Sequence, residues 1–101
     1  MNQAEKNRIY RQIVWDYDIS PEEIEAVIKG EIKTAGHYTK EGLFKKFIET
    51  YPWFTITALF DINEIRTLLT ESTISMLRSQ DLRKKYKFIR ERLQQIISDA
   101  G

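Results

Sequence analysis

The chain has 101 residues, of which 42% are hydrophobic and 31% are charged, and its formal net charge is +1. This length predicts a single helical domain, residues 1–101, that can bury a core of its own without covalent cross-links. Since the chain has no cysteine and no apolar run longer than three residues, the sequence excludes disulfide frameworks, thiolate metal sites, thiol nucleophiles and a membrane span.

Residues at helical intervals predict a first helix from about residue 4 to residue 14. Its apolar positions are Ile9, Ile13 and Val14. The segments WDYDI and WFTITALF alternate in the manner of β-strands. Isolated extended segments without a pairing partner do not make a sheet, so the chain as a whole is predicted to be helical.

The stretch WDYDISPEEIE, residues 15–25, holds five carboxylates and raises the question of an acidic site. Most of it is explained by the start of a helix. Ser20 and Glu23 have the spacing of a capping box, and Pro21 stands at the first helical position, where its missing N–H is not needed. The helix should end at Gly30, because glycine adopts the left-handed conformation without steric cost.

The middle of the chain repeats these helix signals. Thr39 is predicted to cap a helix that Pro52 ends. Thr55 is predicted to cap a short turn that runs through residue 60. Asp61 and Glu64 have the spacing of a second capping box.

Ser79 is predicted to cap the longest helix, from about residue 80 to residue 98. The apolar residues of this helix are spaced by 4, 3, 4 and 3 positions and are Leu82, Tyr86, Ile89, Leu93 and Ile96. The predicted fold class is therefore all-α. We expect a compact irregular bundle of five to six helices with this long C-terminal helix.

Capping does not explain Asp16 and Asp18. Two carboxylates can share a hard cation, but the further oxygen ligands and the glycine turn of a calcium loop do not follow here, so we expect no metal site. One interpretation is that the aspartates are solvated beside core aromatic residues. The other is an acidic edge that suits a basic partner, formed by Asp16, Asp18, Glu22 and Glu25.

His37 is the only histidine and the first residue to test for catalysis. A histidine base needs a nucleophile within reach, and the sequence has no serine in a glycine elbow and no glycine-rich phosphate loop. We therefore expect no enzyme activity and no cofactor. His37 is interpreted as a loop residue that precedes the Thr39 cap.

Four bases of the last predicted helix lie on one flank, away from its apolar positions: Arg83, Lys84, Lys87 and Arg90. Three interpretations stay open, namely a solvated face, contact with an acidic protein and contact with nucleic-acid phosphates. Phe88 also lies off the apolar positions and would be unusual if fully exposed. A helix-turn-helix within WFTITALFDINEIRTLLTES is not favoured, since its second helix offers only Arg66 to contact base edges.

Charge is separated along the chain. Residues 16–31 hold six acids and one lysine, a net charge of −5, whereas residues 78–92 hold seven bases and two acids, a net charge of +5. Opposite charges at two places on one molecule also favour head-to-tail self-association, which salt would weaken.

Three segments, WDYDIS, LFKKFIETYPWFTITALFDINEIRTLLT and LRSQDLRKKYKFIRERL, resemble a loose group of small helical bacterial proteins of unknown function. The resemblance covers about residues 13 to 93. Some members of that group lie beside nucleotidyltransferase-like toxins. The resemblance therefore implies a helical fold and an accessory or antitoxin-like role, and it transfers no functional residue.

Together these observations predict a non-enzymatic, cytoplasmic, helical protein-interaction module. Its contact surfaces would be the acidic edge and the basic flank. The alternative is a small nucleic-acid-binding regulator that uses the basic C-terminal helix alone. Reversal of either charge should weaken protein binding, whereas only reversal of the basic charge should weaken nucleic-acid binding.

Overall fold

The structure, a computed structural model, describes residues 1–14 and 18–100, with side chains up to residue 96. Seven helices make up most of this part, so the all-α prediction is confirmed. Contacts divide the chain into two units, Met1–Leu59 and Phe60–Gly101. That the chain folds as one domain stays a prediction from its length.

The described residues of the first unit form four helices and one short hairpin. The helices are α1 (Gln3–Ile13), α2 (Pro21–Ile28), α3 (Lys40–Thr50) and α4 (Trp53–Leu59), and the strands are β1 (Thr34–Ala35) and β2 (Tyr38–Thr39). α2 packs against α1 and α3, and α3 packs against α4. The buried apolar side chains of this unit come from all four helices and include Ile9, Tyr10, Ile13, Ile24, Val27, Leu43, Phe44, Phe47, Ile48 and Ile56.

Both ends of α2 have the local structure that the sequence predicts. The N–H of Glu23 donates to the Ser20 hydroxyl at 3.2 Å, and the N–H of Ser20 donates to the Glu23 carboxylate at 3.3 Å, which completes the capping box. At the other end Gly30 has a φ of +79°. The N–H of Glu31 donates to the carbonyl of Ala26 at 2.8 Å, as in a Schellman motif. Glu22 and Glu23 thus belong to the first turn of a helix, and Glu23 completes its cap.

The hairpin between α2 and α3 was not predicted. Thr34 pairs with Thr39, and Ala35 pairs with Tyr38 in an antiparallel register. Gly36 occupies the first of the two loop positions with a φ of +61°, a conformation that hairpin turns require and that glycine supplies. Strands of two residues are too short to show an alternating pattern, which is why the sequence does not reveal them.

α4 begins earlier than the sequence indicates. The carbonyl of Pro52 accepts from the N–H groups of Thr55 and Ile56 at 3.0 and 3.3 Å, so Thr55 lies inside the helix and does not cap it. Thr55 is buried there. The prediction of a cap at Thr55 is wrong, because the helix begins before Thr55 and the threonine side chain is buried in the core instead of capping the helix.

The second unit contains α5 (Ile62–Leu68), α6 (Glu71–Ser75) and α7 (Gln80–Ala100), and α7 packs against both shorter helices. The residues described here thus include seven helices rather than five to six. The shortest of them is α6, around Ile74, which has its own cap, since the Thr70 hydroxyl accepts from the N–H of Thr73 at 3.1 Å. Among the described residues of this unit, the buried apolar side chains are Phe60, Ile65, Leu68, Leu69, Ile74, Leu77, Tyr86 and Leu93.

The other predicted caps of the second unit are present with one difference. Asp61 caps α5, but its carboxylate accepts from the N–H of Asn63 at 3.1 Å, one residue earlier than a capping box requires. The Ser79 hydroxyl accepts from the N–H of Leu82 at 3.3 Å, so α7 begins where predicted. Across residues 1–14 and 18–100, no helix has both the length and the apolar character that crossing a bilayer demands.

The Ser20 cap provides a stability test of the first unit. Replacement of Ser20 by alanine removes the acceptor for the Glu23 N–H and should lower the free energy of unfolding by about 1 kcal/mol in urea denaturation. Ser72→Ala, at an exposed position within α6, is the control and should change the stability by less than about 0.5 kcal/mol. A loss below about 0.3 kcal/mol for Ser20→Ala would contradict a stabilising cap.

Candidate interaction surface on the last helix

The orientation of α7 is fixed by the side chains that it buries. Tyr86 is 0% exposed, and Leu93, seven residues further along, is also buried. Phe88 lies two residues from Tyr86, which turns it about 200° around the helix axis. Its side chain is 62% exposed. Phe88 therefore lies off the buried side of α7 and is largely exposed, as its position outside the apolar spacing indicated.

Arg83, a member of the predicted basic flank, is used inside its own unit. Its guanidinium donates to the carbonyl of Leu77 and, at 3.4 Å, to the carbonyl of Arg78. Both carbonyls lie in the connection between α6 and α7. Half-buried Arg83 therefore holds this connection, and its Nη1 group is engaged there instead of being offered to a partner.

Arg90, another member of the flank, pairs with an acid of α6. Its Nη1 lies 3.5 Å from Oε1 of Glu71, whose side chain is 86% exposed. Ile74 and Ser75 of α6 line a shallow cleft beside this pair, together with Lys87 and Glu91 of α7. An ion pair with one partner so exposed contributes about 0–1 kcal/mol, so Arg90 remains open to competition from another carboxylate.

The outer side of α7 carries a different set of exposed residues, which we call the basic–aromatic stripe: Lys84, Lys85, Phe88, Arg92 and Ile96. Lys84, Phe88, Arg92 and Ile96 follow one another at intervals of four, so the stripe is roughly 18 Å long at 1.5 Å per residue. The Lys85 ammonium lies 5.6 Å from the centroid of the Tyr86 ring. Ile96 is 56% exposed, although its spacing predicts a place with the buried positions.

The stripe overlaps the predicted basic flank only at Lys84. Lys85 and Arg92 were missed, although each is within four residues of Phe88 and on the same side of the helix. The spacing around Phe88 is the signal that could have identified them, because residues three and four apart are neighbours on a helix surface. Lys87 is exposed, but it faces the cleft beside α6.

The predicted acidic edge lies in the first unit and is only partly described. Asp16 lies outside the described residues. Asp18 and Glu22 are exposed. Glu25 is half-buried and engaged within the unit, since it accepts from the side-chain amide of Gln3 at 3.1 Å and lies 3.6 Å from the Lys29 ammonium. Glu25 therefore has contacts within its own unit, and the acidic edge as a binding surface stays a prediction.

His37 lies in the hairpin loop, as predicted, with its ring stacked on Tyr38 at 4.5 Å between centroids. Within the described residues, no group of three or more histidine, aspartate or glutamate side chains could hold a metal ion.

Comparison of the chain with protein-family models, curated proteins and solved structures finds no match.

Burial changes the acidity of three tyrosines. It raises the pKa of Tyr86 to about 12. Burial and, to a smaller extent, the negative charge of Glu25 raise the pKa of Tyr10 to about 12. Burial also raises the pKa of Tyr51, whose hydroxyl donates to the Gln12 side chain at 2.9 Å. In each case the low-polarity surroundings disfavour the charged phenolate.

The role assigned to Arg83 is testable through stability. Arg83→Ala removes the hydrogen bonds to the carbonyls of Leu77 and Arg78 and should lower the free energy of unfolding by about 1–2 kcal/mol. Lys84→Ala, one position away and exposed, is the matched control and should change it by less than about 0.5 kcal/mol. Equal effects of the two substitutions in urea denaturation would contradict the structural role of Arg83.

The tyrosines predict a loss of stability in alkali. The folded-state pKa of Tyr10 and of Tyr86 is about 12, above the ordinary value of 10.0, so the unfolded chain releases these protons first. Their contribution is complete below about pH 10 and is lost as the pH rises towards 12. Urea denaturation at pH 9 and pH 11 should show this decrease, and a Tyr10→Phe, Tyr86→Phe variant should show less of it. An unchanged decrease in the variant would contradict the assignment.

Proposed function

We propose that the chain is a non-enzymatic protein-interaction module that binds its partner through the basic–aromatic stripe. The exposure of Phe88 carries this proposal, because a phenylalanine that is 62% exposed between Lys84 and Arg92 on α7 keeps a large apolar ring in water. Full burial of such a side chain is worth about 1.5–3 kcal/mol. A partner that covers Phe88 would gain part of this free energy.

The charges around Phe88 favour an acidic partner. Lys84, Lys85 and Arg92 are exposed and lie within four residues of the ring, whereas Glu91 is the one acid at that distance. Complementary charge of this kind increases the rate of association and selects among partners more than it adds affinity. The apolar ring would then provide affinity, and the cations would provide selectivity.

In the cell, the proposed module would act as an accessory or antitoxin-like protein. The resemblance to small helical bacterial proteins, some of them beside nucleotidyltransferase-like toxins, supports it. In such a role the stripe would cover an acidic surface of another protein in the cytoplasm. The module would need no catalytic group of its own to act in this way.

Nucleic-acid binding is the second candidate, because bases stack on an exposed aromatic ring while lysines contact phosphates. One observation favours a protein instead. Ile96 continues the stripe with an aliphatic side chain that a phosphate backbone does not match.

Photo-crosslinking tests the proposed function. A photoreactive phenylalanine analogue is placed at position 88 in cells that express the chain, and adducts are analysed by mass spectrometry. The matched control carries the analogue at Phe54, which is 73% exposed and lies in the first unit. We expect protein adducts from position 88 that are absent from position 54 and resistant to nuclease.

Two results would contradict this proposal. Adducts that disappear after nuclease treatment would favour the nucleic-acid candidate. The same adducts from positions 88 and 54 would show that the crosslinks follow exposure alone and not a specific surface.

A further inference from the structure

The spacing of the basic–aromatic stripe defines a ridge on α7. Lys84, Phe88, Arg92 and Ile96 follow one another at intervals of four residues, slightly more than one full turn, so they lie along an i, i+4 row of the helix. Rows of this kind are the ridges that fit into the grooves of a second helix, with an angle of about −50° between the axes. The stripe therefore has the form of one half of a helix–helix contact.

Charge and apolar character alternate along this ridge, in the order cation, aromatic, cation, aliphatic. We infer that the stripe binds an acidic amphipathic α-helix of a partner protein, with apolar side chains packed on Phe88 and Ile96 and carboxylates facing Lys84, Lys85 and Arg92. This inference rests on the proposed function and names the class of partner. A length of roughly 18 Å corresponds to between three and four turns of the bound helix.

A second copy of α7 does not fit the same description. Two identical stripes packed together would place Lys84, Lys85 and Arg92 of one copy near the same cations of the other. Like charges at an interface oppose association, whereas carboxylates on the bound helix would neutralise these cations. Charge complementarity therefore favours an acidic helix over self-pairing through this surface.

The probe for the first test is a synthetic peptide with glutamates and leucines on one face of a helix and alanine and glutamine elsewhere. A control peptide has the same composition in an order that destroys the face. Binding to the full-length chain is measured by fluorescence polarisation. We expect the amphipathic peptide to bind about ten-fold more tightly than the control, a difference of about 1.4 kcal/mol.

Paired substitutions of phenylalanine test the contribution of the ring. Phe88→Ala should remove the preference for the amphipathic peptide, because it deletes the apolar contact. Phe54→Ala, which also removes an exposed phenylalanine, should keep the preference. A preference that survives Phe88→Ala, or that Phe54→Ala also removes, would overturn the inference.

Exchanging the charges of the stripe and of the peptide tests the contribution of the cations. A variant that binds the peptide of opposite charge must be folded, so lost binding of the original peptide cannot be due to misfolding. A Lys84→Glu, Arg92→Glu variant should lose the acidic peptide and bind a peptide with lysines in place of its glutamates. Arg8→Glu with Arg66→Glu makes the same change in net charge at exposed positions elsewhere and should keep the original specificity. Failure of the exchanged pair to bind, with helical content by circular dichroism unchanged, would overturn the assigned charge contacts.

The two proposals fail in different ways. Nuclease-resistant protein adducts at position 88 together with equal binding of both peptides would leave the protein-interaction function standing and overturn the acidic helix. Tighter binding of mixed DNA or RNA oligomers than of the amphipathic peptide, with nuclease-sensitive adducts, would overturn both.

Discussion

The burial of Tyr86 is the constraint on which the second unit depends. Two aromatic residues two positions apart on a helix point about 200° from each other, so both cannot enter one core. With Tyr86 inside, Phe88 must lie outside, and the two flanks of α7 receive different roles. On one flank, Arg83 contacts the connection between α6 and α7, and Arg90 contacts α6. On the other flank, Lys84 and Arg92 remain exposed beside Phe88.

Short helices impose the second constraint. α5 and α6 have seven and five residues, and isolated helices of such length are not stable in water. Side-chain caps and burial on a longer helix supply what their own hydrogen bonds cannot. Asp61 and Thr70 provide caps at their N-termini, and Ile65 and Ile74 provide buried contacts. A surface built on α7 is thus carried by the longest helix of the unit, which the shorter ones hold in place.

Most caps and most apolar positions depend on neighbouring residues and are predicted well from the sequence, although Thr55 and Ile96 depart from their patterns. The Ser20 capping box and the left-handed Gly30 are found where their patterns indicate. The hairpin was not predicted, because strands of two residues are too short to show an alternation of apolar and polar residues. The surface was predicted only in part, because whether Arg83 faces solvent or a carbonyl depends on a turn that the pattern of α7 does not contain. Its one strong signal, an aromatic residue off the apolar positions, was present at Phe88.

Solvent accessibility of Tyr86 and Phe88 is the most direct test of this account. Hydroxyl-radical footprinting with mass spectrometry would measure the oxidation rate of each ring in the native chain, relative to the same ring in the unfolded chain. Strong protection of Tyr86 together with little protection of Phe88 is the predicted result. Equal protection of the two rings would contradict the orientation of α7 and, with it, the basic–aromatic stripe.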